Sequence, residues 1–294
     1  MKRLALVALA AIVIGILASV WRSEPEPTVP AIELNRTAEG SFTEPLGKSP
    51  LFVLVIGSDV REGNPRAGRA DSLHVVAIDP ESGKGTIVGI PRDSYVPIPG
   101  RGSNKINASL FFGGPELVVQ TVSQFTGINF HYWALVEFSR FRDLVDRLGG
   151  IEVNIPYPMS DSASGAHFGQ GPRKLTGAEA LAFSRARKTV PGGDFGRSEN
   201  QGRLLLAALN KFRKDASSPV ALAKYLTTFG ALVEANVPTS DLIRLAQLGR
   251  RLDPGNIRNM VIPAGTGSAG GASIVTVGQP ARDVFDRIKD DAIL

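Results

Sequence analysis

Three apolar runs of strand length, each bounded by charged residues, constrain this chain more than any other feature. Residues 51–56 (LFVLVI) end in Gly57-Ser58-Asp59. Residues 72–78 (SLHVVAI) are entered through Arg69-Ala70-Asp71, and residues 85–90 (GTIVGI) end in Pro91-Arg92-Asp93. Apolar runs of this length between turn signals read as strands. Asp79-Pro80-Glu81-Ser82-Gly83-Lys84 separates the last two and reads as a turn, so the pair predicts a hairpin. The start of one hairpin strand and the end of the other share a sheet edge. Asp71 and Arg92-Asp93 are therefore expected side by side, and a simple fold-back of segment 60–70 adds Asp59. Three carboxylates and at least two arginines at one strand edge point to a site. The plainer reading is a set of ordinary polar turn ends.

Strands and helices then alternate. Residues 115–125 predict a helix opened by Pro115 and stopped by Gly127. Residues 130–136 (FHYWALV) read as a buried strand, 139–148 as an amphipathic helix with Ser139 as N-cap and Gly149 as its stop, and 151–155 as a strand. Thr176-Gly177-Ala178-Glu179 has the form of a capping box opening a short helix to Phe183. The tail reads as helices at 219–233 and 239–252, strands near 259–263 and 273–277, and a last helix from Pro280. It is expected to complete the layers, with no additional C-terminal domain. This alternation points to a layered α/β domain.

A second group of arginines follows the short helix. Arg185 and Arg187 point the same way if the segment is extended. Gly192-Gly193 leads to Asp194-Phe195-Gly196-Arg197, and a helix over 198–214 carries Gln201. Arg197 would add a cation to a helix end that already favours anions. Every one of these motifs uses more Arg than Lys, and planar bidentate donors suit phosphate oxygens. A solvated face would take Lys as readily.

The chain has 294 residues, three His and no Cys. Thiol nucleophiles, disulfides and thiolate-bound metals are thereby excluded. His74 and His131 read as packing or strand-edge residues, and His167 lies in a Gly-rich loop; no pair has metal-ligand spacing. No Walker A loop, dinucleotide fingerprint or Gly-x-Ser-x-Gly elbow is present. Carboxylates without His or Cys favour a hard cation such as Mg²⁺, which takes one or two carboxylates plus substrate phosphates.

Lys2 and Arg3 precede an uncharged run over residues 4–21, closed by Arg22. At about 1.5 Å per residue this run reaches roughly 27 Å, close to the hydrocarbon thickness of a bilayer. Trp21 suits the interfacial aromatic belt and Lys2-Arg3 the cytoplasmic side, while Ile16-Leu17-Ala18 is a poor cleavage site. Residues 1–22 are thus expected to be a retained signal anchor spanning the membrane once. Residues 23–50 alternate Pro25, Pro27, Pro30, Pro45 and Pro50 with Glu24, Glu26, Glu33, Glu39 and Glu44, the composition of a stiff extracytoplasmic spacer. Residues 51–294 would form the folded domain outside the cytoplasm. The net charge of +5 suits an anionic ligand or membrane surface, and equally a plain basic surface.

In order, these motifs resemble the LytR–CpsA–Psr family of membrane-anchored extracytoplasmic enzymes. The resemblance rests on Ile56–Arg61, Arg69–Ser72, Ile90–Asp93, Lys105-Ile106-Asn107-Ala108, Leu144–Gly150, Ala180–Arg187, and Asp194–Arg197 followed by Gln201. It implies a three-layer α/β/α domain with a central mixed sheet, holding a polyprenyl-pyrophosphate-linked glycan. The implied reaction passes the glycan with one phosphate to peptidoglycan and leaves polyprenyl phosphate, with pyrophosphate hydrolysis as a side activity. By that likeness Asp59 and Asp71 hold Mg²⁺, and Arg69, Arg92, Arg185, Arg187, Arg197 and Gln201 grip the pyrophosphate. Asp93 and Asp194 are the carboxylates left to take the acceptor's proton. The chain departs from the family pattern at Asn200, where Arg is expected, at Gly202, where Gln is common, at Phe183 for Tyr and at Ala70 for Ser. A non-catalytic binder or sensor of the lipid-linked glycan is the alternative. Nucleic acid is not expected as a partner, since no helix-turn-helix with a basic patch is evident.

Overall fold

The computed structural model describes residues 50–60 and 63–294. The expected anchor at 1–22 and the spacer up to residue 49 lie outside the described residues. Among the described residues no helix is long and apolar enough to cross a membrane.

The first apolar run forms β1 (Leu51–Ser58), followed by β2 (Ala70–Ile78) and β3 (Gly85–Gly89). A small hairpin of β4 (Tyr95–Ile98) and β5 (Gly102–Lys105) leads to α1 (Ala108–Thr126), β6 (Tyr132–Glu137) and α2 (Phe138–Arg147). Then come β7 (Ile151–Ile155), β8 (Met159–Asp161), β9 (Ala166–Phe168), β10 (Gly171–Leu175), α3 (Gly177–Arg185) and α4 (Asp194–Asp215). The chain continues through α5 (Pro219–Leu232), β11 (Glu234–Ala235), α6 (Thr239–Arg251), β12 (Ile257–Val261), β13 (Gly265–Ala269), β14 (Ala272–Thr276) and α7 (Gln279–Asp291).

Six strands form the central sheet in the order β11-β6-β1-β2-β3-β12. β1 runs parallel to β6 and β3 parallel to β12, while β1/β2, β2/β3 and β6/β11 are antiparallel, so the sheet is mixed. Alternation along each strand divides the interior into two layers. Leu54, Ile56, Leu73, Val75 and Val88 pack with Val118 and Val122 of α1 and with Phe285 and Ile288 of α7. Leu51, Val53, Val76 and Ile87 face the other way, toward Leu205 and Leu209 of α4 and Leu248 of α6. The result is the α/β/α sandwich. A further core, built on Val145, Ile151, Val153, Leu175 and Phe183, is closed by Leu204 of α4.

Several boundaries differ from expectation. The first long helix starts at Ala108 rather than Pro115, because Gly113 and Gly114 leave helical geometry and join a short leading turn to the straight part that Pro115 opens. α2 is capped at Glu137, not Ser139; the Ser139 hydroxyl instead donates to Glu137 Oε1 at 2.7 Å. α3 continues two residues past Phe183 and takes in Arg185. α4 begins at Asp194 rather than Ser198, since Gly193, at φ 59°, turns the chain straight into the helix. The pairs β4/β5 and β8/β9 and the strands β10 and β13 were not expected; they are short and largely polar on one face, without an apolar run to mark them, whereas β14 is the strand expected near 273–277.

The tail does complete a layer: Phe285 is fully buried and meets Phe125 edge-on, with ring centroids 5.6 Å apart. Phe285→Ala should therefore lower stability by about 3–5 kcal/mol, measured by urea unfolding.

Candidate active site

The edge where β1 ends and β2 begins is held by backbone bonds. The β1–β2 register pairs Gly57 with Ser72 and then shifts to pair Ser58 with Ala70, so Asp71 sits in a bulge. Arg69 N–H donates to Asp59 Oδ1 at 2.7 Å, and Asp59 N–H to the Arg69 carbonyl at 3.1 Å. The segment between them does fold back. Gly68 permits this, because a Cβ there would press on Asp59 Oδ1 and Ser58 Oγ at 2.6 Å. From the other side, Ala70 N–H donates to the Asn107 carbonyl and Asn107 N–H to the Arg92 carbonyl. The Lys105–Ala108 motif thus serves as a backbone clasp between Asp71 and Arg92.

On this frame the expected side chains meet. Arg92 Nη1 donates to Asp71 Oδ1, and Lys105 Nζ lies 3.1 Å from Asp93 Oδ1. Asp194, Arg197 and Gln201 recur at i, i+3 and i+7 and so share one face of α4. Arg197 Nη2 lies 2.7 Å from Asp194 Oδ1, and Arg187 Nε reaches the same oxygen at 3.7 Å. Burial disfavours charge on Arg92, but Asp71, Asp194 and Asp93 outweigh it and its pKa is raised. Burial wins at Arg197, whose pKa is lowered: Asp194 and Asp71 oppose the shift, while Arg92 and Arg187 add to it. These mutual fields place both arginines, Arg187 and the three carboxylates in one electrostatic cluster. Arg92 Nε, Arg197 Nε and both Asp194 oxygens are buried without a hydrogen bond.

Other expected residues are placed differently. Arg185 is the last residue of α3, and its guanidinium lies over the Phe138 ring, 5.1 Å from its centroid. Phe138 N–H donates to the Val60 carbonyl, so this stack borders the Asp59 loop. Arg185 and Arg187 therefore do not form the extended same-side pair that their spacing suggested. The Arg69 side chain is exposed, whereas Gln201 Nε2 donates to the Ser184 carbonyl at 3.1 Å. Asp161, which sequence reasoning passed over, accepts the backbone N–H groups of Arg187 and Lys188 at 2.7 and 2.9 Å and fixes the arginine loop. Those bonds hold its carboxyl below the usual range. Its only signal was an Asp in a Ser/Gly-rich turn.

The departures have local reasons. Asn200 is buried and donates to the Tyr157 hydroxyl at 3.1 Å. A Cβ on Gly202 would overlap the Asn259 amide. Phe183 is fully buried edge-on to Phe168, and Ala70 is fully buried in the bulge. A cleft of about 420 Å³ between α4 and β12 is lined by Phe195, Glu199 and Asn259, on a different face of α4 from Arg197.

The donor set suits a hard cation. Asp59 and Asp71 each have one oxygen engaged, by Arg69 N–H and by Arg92 respectively, which leaves one oxygen each for a ligand. No group of three or more His, Asp or Glu side chains able to hold a metal forms among the described residues. A hard cation bound by so few carboxylates would draw its other ligands from substrate and water.

The LytR_cpsA_psr family model matches residues 26–289. The chain belongs to this family. Among curated relatives it is 40% identical over 197 residues to the polyisoprenyl-teichoic acid–peptidoglycan teichoic acid transferase TagU of Bacillus subtilis, covering 66% of this chain and 60% of that protein. The Bacillus mycoides TagU is 37% identical over 211 residues, covering 71% and 66%. The chain thus spans less than two thirds of the length of these relatives. Among solved structures, Bacillus subtilis TagV superposes with a TM-score of 0.74 at 28% identity, covering 84% of this chain and 98% of that one. Bacillus subtilis TagU superposes with a TM-score of 0.64 at 31% identity, covering 82% and 96%. In this LytR–CpsA–Psr chain Asp71, Arg92, Asp194, Arg197 and Gln201 meet at the edge just described, whereas the motifs at 144–150 and 180–183 pack into the further core around Val145 and Phe183.

His74 is fully buried beside that edge, and its pKa is pushed down to about 4 by burial, against the Ser198 contact that raises it. The unfolded chain binds this proton below about pH 6.5, so stability rises with pH from about 4 to about 6.5 and is fully present above. The urea midpoint should fall over that window on acidification, and less steeply in His74→Met.

Proposed function

We propose that this protein transfers a glycopolymer with one phosphate from a polyprenyl-pyrophosphate carrier to a peptidoglycan hydroxyl, releasing polyprenyl phosphate. The observation that carries the reading is the cluster of half-buried Asp71 and Arg92 with buried Asp194 and Arg197, whose unpaired guanidinium Nε–H groups and incompletely engaged carboxylates suit a pyrophosphate and a divalent cation. The teichoic acid transferase names of the TagU relatives support it. Phosphoryl transfer asks a protein chiefly for positioning and charge neutralisation. In this reading the acceptor oxygen attacks the glycan-linked phosphorus, the bond from that phosphorus to the bridging oxygen breaks, and Asp93 or Asp194 takes the acceptor's proton. Arg69, Arg92, Arg185, Arg187, Arg197 and Gln201 hold the phosphates. Asp59 and Asp71 would hold Mg²⁺, whose charge would offset that of the phosphate oxygens. Water in place of the sugar hydroxyl gives the pyrophosphatase side reaction. The proposed setting is a single-pass membrane protein with this domain extracytoplasmic.

The test combines the full chain in detergent with a polyprenyl-pyrophosphate oligosaccharide, a peptidoglycan fragment and Mg²⁺, and seeks the phosphodiester product by mass spectrometry. Product should require Mg²⁺ and vanish in a folded Asp71→Ala protein. Tight lipid binding without product from any acceptor would favour the binder instead. Charge-assisted contacts are worth about 1.5–3 kcal/mol, so Arg185→Ala should cost roughly ten- to a hundred-fold in binding or rate. Of Asp93→Asn and Asp194→Asn, the one that removes the proton acceptor should lower kcat and flatten the acidic limb of the pH–rate profile; the other should chiefly raise the donor KM.

A further inference from the structure

His74 connects two elements that carry the arginine–carboxylate cluster. It is fully buried on β2, three residues after Asp71. Its Nε2 lies 3.0 Å from the Ser198 carbonyl oxygen and its Nδ1 3.1 Å from Ser72 Oγ. A carbonyl only accepts, so Nε2 carries the proton and Nδ1 accepts from the Ser72 hydroxyl. One neutral tautomer satisfies both contacts. Ser72 directly follows Asp71, and Ser198 directly follows Arg197.

A third element is shaped around this contact. Gly89 of β3 lies against it: a Cβ there would overlap Ser198 Oγ and come within 3.3 Å of His74 Nε2. Glycine on β3 thus lets α4 approach the sheet where the imidazole bridges the gap. Another bond between β2 and α4, from Gln201 Nε2 to the Asp71 carbonyl, is longer at 3.5 Å.

We propose that His74 is a positioning residue: through Ser72, His74 and Ser198 it sets the distance between the Asp71–Arg92 pair on the sheet and Arg197 on α4. The inference rests on reading that cluster as a pyrophosphate clamp. Arg197 sits on the first turn of a helix whose cap is a glycine, and its guanidinium is buried. A fraction of an ångström in the seating of that turn therefore changes whether Arg92 and Arg197 can grip one ligand together.

The test titrates inorganic pyrophosphate with Mg²⁺ into the full-length protein by calorimetry. His74→Met keeps the volume and removes both polar contacts, so it should weaken binding about tenfold, the scale of one or two lost hydrogen bonds. His74→Gln, whose amide can still donate toward Ser198, should bind within about threefold of the parent. Because His74 acts through Arg197, adding His74→Met to Arg197→Ala should cause less than about a twofold further loss. Parent-like binding by a folded His74→Met, or losses that multiply in the double variant, would overturn the proposal. Should His74→Met not fold, Ser72→Ala decides the matter by deleting one hydroxyl, with a loss of about threefold expected and none overturning it. If the parent binds no pyrophosphate, the clamp reading fails by itself. Amide hydrogen exchange then judges the positioning: faster exchange at residues 197–201 in the variant, with α1 and α7 unchanged, is expected, and unaltered exchange overturns it.

Discussion

Asn107 uses its backbone to join two segments just beyond the last ladder bond of the sheet, from Ile90 N–H to the Leu73 carbonyl. Its carbonyl takes the Ala70 N–H and its N–H reaches the Arg92 carbonyl. The first bond fixes the bulge that carries Asp71, and the second fixes the turn that carries Arg92 and Asp93. Ile106 N–H, donating to the Ser94 carbonyl at 2.7 Å, adds a third tie one residue earlier. Such bonds carry no charge, yet they decide where the charges stand. A side chain at the end of a free loop could swing away from its partner; these side chains are anchored within a residue or two of a buried backbone bond. Ile106 and Leu110, fully buried on either side, secure the clasp to the main core.

The cluster held in this way is expensive to keep without a ligand. Burial pushes the Arg197 pKa down even with Asp194 beside it, and neither group makes a well-aligned hydrogen bond to the other. Removing charges from water without full compensation destabilises a fold. The surrounding architecture tolerates that cost because large cores lie on either side of the sheet, and α4 packs both into one of them and into the further core around Phe183. Arg suits the position better than Lys. Its guanidinium is less strongly hydrated, and it presents a rigid fork that can serve a carboxylate and a phosphate at once.

The legible part of this molecule was the part with periodicity. The three apolar runs reported their strands, their hairpin and the shared edge, because burial on both sides of a sheet leaves a continuous apolar signature. Thr176 and Glu179 reported a helix start because the capping box is chemically specific, and both of its bonds form. The start of α4 was hidden. Residues 194–197 (DFGR) contain no helix-favouring pattern, and the decisive feature is the positive φ of Gly193. Arg185 shows a second limit: i, i+2 spacing aligns side chains only on an extended backbone, and α3 continues through it. Asp161 and His74 mark the third. Their importance comes from partners 26 and 124 residues away, and no local pattern carries such information.

The proposed anchoring places a geometric demand on the chain before β1. The candidate site gathers at the C-terminal end of β1, whereas the chain enters that strand at Leu51, eight residues before Asp59. At about 3.3 Å per residue the strand puts roughly 26 Å between the point of entry and the site. Under the proposed function the lipid-linked pyrophosphate would stay at the membrane surface, and the domain would have to turn that edge back toward the bilayer. A spacer over residues 23–50 can reach about 95 Å at full extension, more than three times that strand length. A tether of only a few residues would pin the Leu51 end against the membrane and hold Asp71 and Arg92 away from the substrate. In the proposed function the spacer's length would thus belong to the same argument as the arginines: they would set how the phosphate is gripped, and it would set whether the grip can reach the phosphate.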